Sequence, residues 1–148
     1  MKIRFIAEFK ADFPDDSEWG EDDEAIVLGG RGVADQIAVI LSGLGYDVTS
    51  PEHSPPYGWR FDICSDRAPG MIQVTDLGDE FVLLVSDRTP FLKRLFSRKV
   101  SIDLELAERL HAALSRDDRF HNICWRDQNR RQFVPTAEPR FPQQKAPE

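Results

Sequence analysis

Between Gly29 and Tyr46 the chain reads GGRGVADQIAVILSGLGY, and this stretch constrains the architecture more than any other. Val33, Ile37, Ile40, Leu41 and Leu44 recur at i, i+4, i+7, i+8 and i+11, which puts them on one stripe of a helix. Ala34 and Ala38 flank the stripe and permit close approach of a sheet, while Asp35, Gln36 and Ser42 point away. A helix with a single apolar stripe must bury it against a second layer. Full burial stabilises by roughly 1.5–3 kcal/mol per side chain, an upper figure because the unfolded chain is partly collapsed. Gly45 suits the position just past the helix, where φ is positive, and Tyr46 would then fold back toward Leu41. At the start there is no Ser, Thr, Asp or Asn to cap the helix, only Gly29, Gly30 and Gly32.

The flanking segments read as strands. From Lys2 to Lys10, Ile3, Phe5, Ala7 and Phe9 alternate with Lys2, Arg4, Ile6, Glu8 and Lys10, the pattern of a half-buried strand. Ala11 to Ala25 reads as a polar loop holding Phe13, Pro14, Trp19 and Gly20, and Ile26 to Leu28 as a short extended lead into the helix. Asp47 to Ser50 is a short strand or turn, and Pro51, Pro55 and Pro56 are expected to exclude regular structure from PEHSPPYG. Trp59, Phe61 and Ile63 alternate with Arg60, Asp62 and Cys64 in a further strand. Met71 to Asp76 is the next strand, and Gly78-Asp79 a two-residue hairpin loop. Phe81 to Val85 is apolar on both faces and should be the most central strand. Thr89-Pro90 opens a short amphipathic segment with Phe91, Leu92, Leu95 and Phe96. Ser101 caps a second helix with the stripe Ile102, Leu106, Leu110, Ala113 and Leu114 and an i,i+4 pair of Glu105 with Arg109. Phe120 to Arg126 is a last strand, read with His121, Ile123 and Trp125 on one face. These elements predict an α+β two-layer sandwich in the order β-α-β-β-β-β-α-β, a mainly antiparallel sheet of about five to six strands packed by two helices. Residues 1–134 are expected to form one domain, and 135–148 a Pro-rich polar tail.

With 148 residues, 41% of them hydrophobic and 30% charged, the chain can bury a core without disulfides or metal. No apolar run reaches the length of a membrane-spanning helix. The N-terminus reads as a strand rather than a signal peptide, so Cys64 and Cys124 are expected to be reduced and the location cytoplasmic. The net charge of −7 disfavours nucleic acid and anionic membrane surfaces as partners, since both require a basic footprint. The charge is unevenly spread. Glu8, Asp12, Asp15, Asp16, Glu18, Glu21, Asp22, Asp23 and Glu24 stand in one stretch against Lys10 alone, whereas Arg88, Lys93, Arg94, Arg98 and Lys99 share a second stretch without an acid.

Catalytic and metal-binding patterns fail one by one. An EF-hand loop begun at Asp15 places Gly20 correctly at its sixth position, but Trp19 falls at the fifth and Ile26 at the twelfth. Cys64, Cys124, His53, His111 and His121 lack the spacing of a zinc site. Both cysteines lie in expected strands, and no G-x-S-x-G elbow occurs. No catalytic residue, metal or cofactor is therefore assigned. Gly30, Arg31 and Gly32 at the first helix N-terminus form a weak anion-binding signal through free N–H groups, the helix dipole and a cation. They lack the Lys-Ser/Thr of a P-loop. A small hydrolase or transferase acting on an anionic substrate at Gly29–Gly32 is the alternative reading.

Protein recognition is the favoured class. Trp19, ringed by Asp12, Asp15, Asp16, Glu18, Glu21, Asp22, Asp23 and Glu24, has the makeup of an interface anchor surrounded by steering charge. His53, Tyr57 and Trp59 are expected to line a neighbouring groove. The competing expectation for Trp19 is that it folds down over one end of the core. A small, acidic α+β domain of this character, without catalytic motifs, resembles the bacterial immunity proteins that bind and block a cognate toxin. The resemblance lies in general character and carries no diagnostic motif. It implies a basic protein partner, an RNA- or DNA-cleaving toxin being a natural one, whose positive cleft is occluded by carboxylates with Trp19 as anchor. Self-association through the sheet is a further possibility for such a chain.

Overall fold

The computed structural model describes residues 4–64, 69–88, 104–127 and 129–135. Within these, nine strands and two helices follow in order: β1 (Arg4–Ala11), β2 (Glu18–Trp19), β3 (Ala25–Val27), α1 (Arg31–Gly43), β4 (Glu52–Ser54), β5 (Gly58–Ile63), β6 (Gly70–Asp76), β7 (Phe81–Asp87), α2 (Leu104–Arg116), β8 (Phe120–Arg126) and β9 (Gln132–Phe133). Seven strands form one antiparallel sheet in the order β4-β5-β6-β7-β1-β8-β9, and β2 with β3 forms a separate hairpin. α1 packs on β5 and β6, α2 packs on β8, and the two helices touch each other. The result is the expected α+β sandwich with one more strand than anticipated in the main sheet.

Alternation decides which face of each strand meets the helices. On β1, Phe5, Ala7 and Phe9 are buried while Arg4 and Lys10 are exposed. β7 carries apolar residues on both faces and lies fourth of seven, at the centre of the sheet. Its Phe81, Leu83 and Val85 join the core, and Phe81 stacks on Phe9 with ring centroids 5.8 Å apart. Leu77 N–H donates to the Glu80 carbonyl at 2.9 Å across Gly78-Asp79, closing the β6–β7 hairpin, with Gly78 at φ 95°.

α1 buries Val33, Ala34, Ile37, Ala38 and Leu41. It ends as its sequence dictates. Gly45 takes φ 99°, its N–H donates to Ser42 O at 3.0 Å, and Tyr46 N–H returns to Leu41 O at 3.0 Å. Arg109 of α2 completes this end, donating to Leu44 O at 2.6 Å with its guanidinium 5.3 Å from the centre of the Tyr46 ring. α2 buries Leu106, Ala107, Leu110 and Leu114, and Ala113 is half-buried.

Two strand readings are corrected. Glu52–Ser54 pairs with β5 inside the Pro-rich stretch that was expected to exclude regular structure. β4 is an edge strand three residues long, with Pro51 before it and Pro55 after it, where missing N–H groups are tolerated. On β8, His121 and Trp125 do not share a face: His121 is exposed and Trp125 is buried. The register against β1 shifts between Glu8 and Lys10, and Asn122 opposite takes φ 57°. This bulge inserts a residue and turns both Phe120 and Trp125 toward the core. The amphipathic and basic segment 89–99, the expected Ser101 cap, Ile102 and the tail from 136 onward lie outside the described residues.

Trp125 supplies a pH-dependent element. Its indole N–H donates to His111 Nδ1 at 3.0 Å, so the imidazole is neutral with its proton on Nε2, because indole nitrogen only donates. Burial pushes the His111 pKa below its ordinary value of 6.5. The unfolded chain therefore takes up this proton at higher pH than the folded one. The stabilisation is complete above 6.5 and is lost as pH falls through the folded-state pKa. Urea denaturation at pH 7.5 and pH 5.5 should show a smaller pH-dependent loss in His111→Gln than in the native chain. His111→Leu, which strands the buried N–H, should cost about 1–3 kcal/mol at the higher pH.

Candidate functional site

A cleft of about 390 Å³ opens where four segments meet: the acidic loop from Ala11 to Trp19, the turn into α1 from Leu28 to Val33, the Pro56–Gly58 turn, and the β6–β7 hairpin. One side chain ties the loop to the start of α1. Asp16 accepts hydrogen bonds from Gly30 N–H (2.8 Å, Oδ1) and Gly32 N–H (2.7 Å, Oδ2), while Gly30 itself takes φ 105° at the N-cap. The first helix is thus capped by a carboxylate 14 residues before Gly30 in the chain. A Cβ on Gly32 would meet Asp16 Oδ2 at 3.4 Å and Phe13 at 3.5 Å, ordinary van der Waals distances, so the loop packs directly against this turn without glycine being demanded there.

This bears directly on the anion site expected at Gly30, Arg31 and Gly32. The helix N-terminus does hold an anion, and that anion is the protein's own Asp16. Arg31 turns away to Asp35 (3.9 Å) and lies 5.4 Å from the Trp59 ring centre. The N–H groups on which an anionic substrate would depend are already engaged.

The remaining acids divide by place. Asp15 Oδ1 accepts from Ser17 Oγ (2.6 Å) and Ser17 N (3.0 Å), and these bonds, the hydroxyl first, hold its pKa below the usual carboxylate value. Ser17 Oγ in turn accepts from Trp19 Nε1 at 3.1 Å. This chain orients the Trp19 indole at the cleft, and the side chain is 63% exposed rather than folded over the core. Glu18 lies on β2, and Glu21, Asp22, Asp23 and Glu24 occupy the exposed tip of the β2–β3 hairpin, with Asp23 at φ 57°. Asp12 stands apart, 3.1 Å from His121 Nε2.

Asp76, which the sequence did not single out, faces Asp15 across the cleft floor. Its Oδ1 accepts from Gly78 N–H at 2.8 Å. A Cβ on Gly29 would collide with Asp76 Oδ2 and lie 3.6 Å from Asp15 Oδ1, so two carboxylates converge above a residue without a side chain. Asp15, Asp16 and Asp76 have no ion pair with a cationic side chain among the described residues. The clue in the sequence was weak: an Asp before a hairpin Gly is an ordinary turn pattern.

The three residues of the second aromatic group have different fates. Tyr57 is 59% exposed and lines the cleft. Trp59, expected in an open groove, is a core residue only 6% exposed. Its Nε1 donates to Leu28 O (2.8 Å), and Leu28 N–H donates to His53 Nε2 (3.0 Å), so the two rings clamp both polar groups of one residue in the turn before α1. His53 also borders a separate polar cleft of about 310 Å³ with Thr49, Glu52 and Arg60.

Among the described residues, no group of three or more His, Cys, Asp or Glu side chains is arranged to hold a metal ion, and no helix is long and apolar enough to cross a membrane. Compared with known protein families, curated proteins and solved structures, the chain matches none.

Proposed function

We propose that this chain is a protein-recognition module of the immunity type, which blocks a basic surface of a partner protein with its acidic hairpin and the adjoining cleft. The exposure of Trp19 carries this reading. A large indole kept 63% in solvent, hydrogen-bonded in a fixed orientation and surrounded by carboxylates, fits an interface anchor far better than a packing residue. The unpaired acids around it would steer a basic partner and raise its association rate. A toxin that cleaves RNA or DNA fits, because a cleft built for phosphates must be positive, and the protein would act in the cytoplasm beside it.

The test is capture of the partner from host lysate at low and high ionic strength, with and without substitution of Glu21, Asp22, Asp23 and Glu24 by their amides. Asp16 is left intact because it caps α1. One basic protein is expected to be held stoichiometrically at low salt. Each removed charge should weaken it by about 0.2–1 kcal/mol. Capture that is indifferent to both salt and the substitutions would sink the proposal.

A further inference from the structure

We infer that the cleft at the start of α1 is a receptor for an arginine side chain presented by the protein partner. The inference rests on the recognition reading above and names the group that the cleft takes.

Three observations converge. The cleft has the size of a ligand pocket, about 390 Å³, and two exposed aromatic side chains from different segments, Trp19 and Tyr57, line it. Carboxylates reach it from both the loop (Asp15, Asp16) and the β6–β7 hairpin (Asp76), with no cation of the described chain to neutralise them. The third observation is how this molecule treats three of its own arginines. Arg31, Arg109 and Arg119 lie 5.4, 5.3 and 4.8 Å from the centres of the Trp59, Tyr46 and Phe13 rings. Each also meets an oxygen at the guanidinium edge: Asp35 for Arg31, Leu44 O for Arg109, and both oxygens of Asp117 (3.0 and 2.8 Å) for Arg119. The cleft brings together the same two kinds of group, aromatic rings and carboxylate oxygens, without the guanidinium.

The chemistry favours arginine over the other cations. A planar, weakly hydrated guanidinium stacks on a ring while its edge donates to carboxylates. Lysine is a compact, strongly hydrated point charge that leaves the planar rings unused. A hard divalent ion wants six or more free oxygens. Here both oxygens of Asp16 and one oxygen each of Asp15 and Asp76 already accept N–H or O–H bonds.

The probe is the blocked tripeptide acetyl-Gly-Arg-Gly-amide, titrated into the isotope-labelled full chain and followed by NMR at the Trp19 indole and Tyr57. The controls are the same peptide with citrulline or lysine in place of arginine, and Mg²⁺ or Ca²⁺ alone. Saturable shifts are expected with arginine, weaker binding by about tenfold with lysine or citrulline, and loss of the shifts in Tyr57→Ala and Asp76→Asn. Both variants keep the fold, since Tyr57 is exposed and Asn retains the oxygen that accepts from Gly78. Equal binding of citrulline or lysine, displacement of the peptide by a divalent ion, or no saturable shift with arginine would each overturn the inference. A partner captured through the acidic hairpin but indifferent to Tyr57→Ala and Asp76→Asn would overturn it too, while leaving the recognition reading standing.

Discussion

Replacing Gly58 by alanine is expected to destabilise the fold by about 3 kcal/mol or more. Gly58 opens β5 at φ 127°, a conformation that L side chains rarely adopt. A Cβ added there would run into the carbonyl oxygen of Val74 on β6, with Val74 C at 3.2 Å and Thr75 Cα at 3.3 Å behind it. All three obstacles are backbone, so no side chain can swing aside. Relief requires β5 to move off β6 in the floor of the cleft, where Thr75 Oγ1 donates to Tyr57 O at 2.6 Å. For a chain of this size the loss corresponds to a melting temperature lower by roughly 6–12 °C. Gly43→Ala is the control. Nothing lies within 4 Å of a Cβ there, so this change should be neutral or stabilise by up to about 1 kcal/mol. Equal urea midpoints for the two variants would show that the close approach at Gly58 does not exist in solution.

The parts of this fold that the sequence made legible are those decided within one helical turn or one strand. The Val33–Leu44 stripe, the Gly45–Tyr46 ending of α1 and the two-sided apolar run of β7 each depend on neighbours a few residues away, and each is found where its pattern placed it. What escaped depends on where the chain travels. The missing cap of α1 was visible as a lack: Gly29, Gly30 and Gly32 left N–H groups without a local acceptor. Its solution was hidden, because any of the acids between Asp12 and Glu24 had the right chemistry and only the path of the loop selects Asp16. The bulge at Asn122 likewise reverses the facing of half a strand, and period-two reading has no means to anticipate an inserted residue. Aromatic residues gave the most ambiguous signal of all. Trp19 and Trp59 are alike in composition terms, yet one stands in solvent and the other clamps Leu28 from the core. The difference comes from hydrogen-bond partners: Trp19 is satisfied by Ser17 in its own loop, whereas Trp59 is satisfied by a carbonyl 31 residues away.

Asp16→Ala is expected to lower stability by about 1–2 kcal/mol, the upper part of the range for a lost helix cap, because this cap consists of two charge-assisted hydrogen bonds. The damage should be local before it is global. Gly30 and Gly32 would lose their acceptor, so the first turn of α1 should exchange its amide hydrogens faster while the β7 amides keep their protection. Asp16→Asn retains one acceptor oxygen and should fall between the two. The larger consequence is functional. Asp16 ties the loop that carries Asp15 and leads into Trp19 to the start of α1, so its removal should loosen the setting of the indole at the cleft mouth. Partner binding should then weaken beyond the loss of one charge, through the entropy of reordering the loop. Asp22→Asn or Asp23→Asn at the exposed hairpin tip should weaken binding without changing stability, since Asn tolerates the positive φ of Asp23. Amide exchange and partner affinity measured on the same variants separate these two kinds of carboxylate. If Asp16→Ala unfolds at the same urea concentration as the native chain and binds as Asp22→Asn does, then Asp16 is one more steering charge, and the acidic loop is not anchored to the first helix at all.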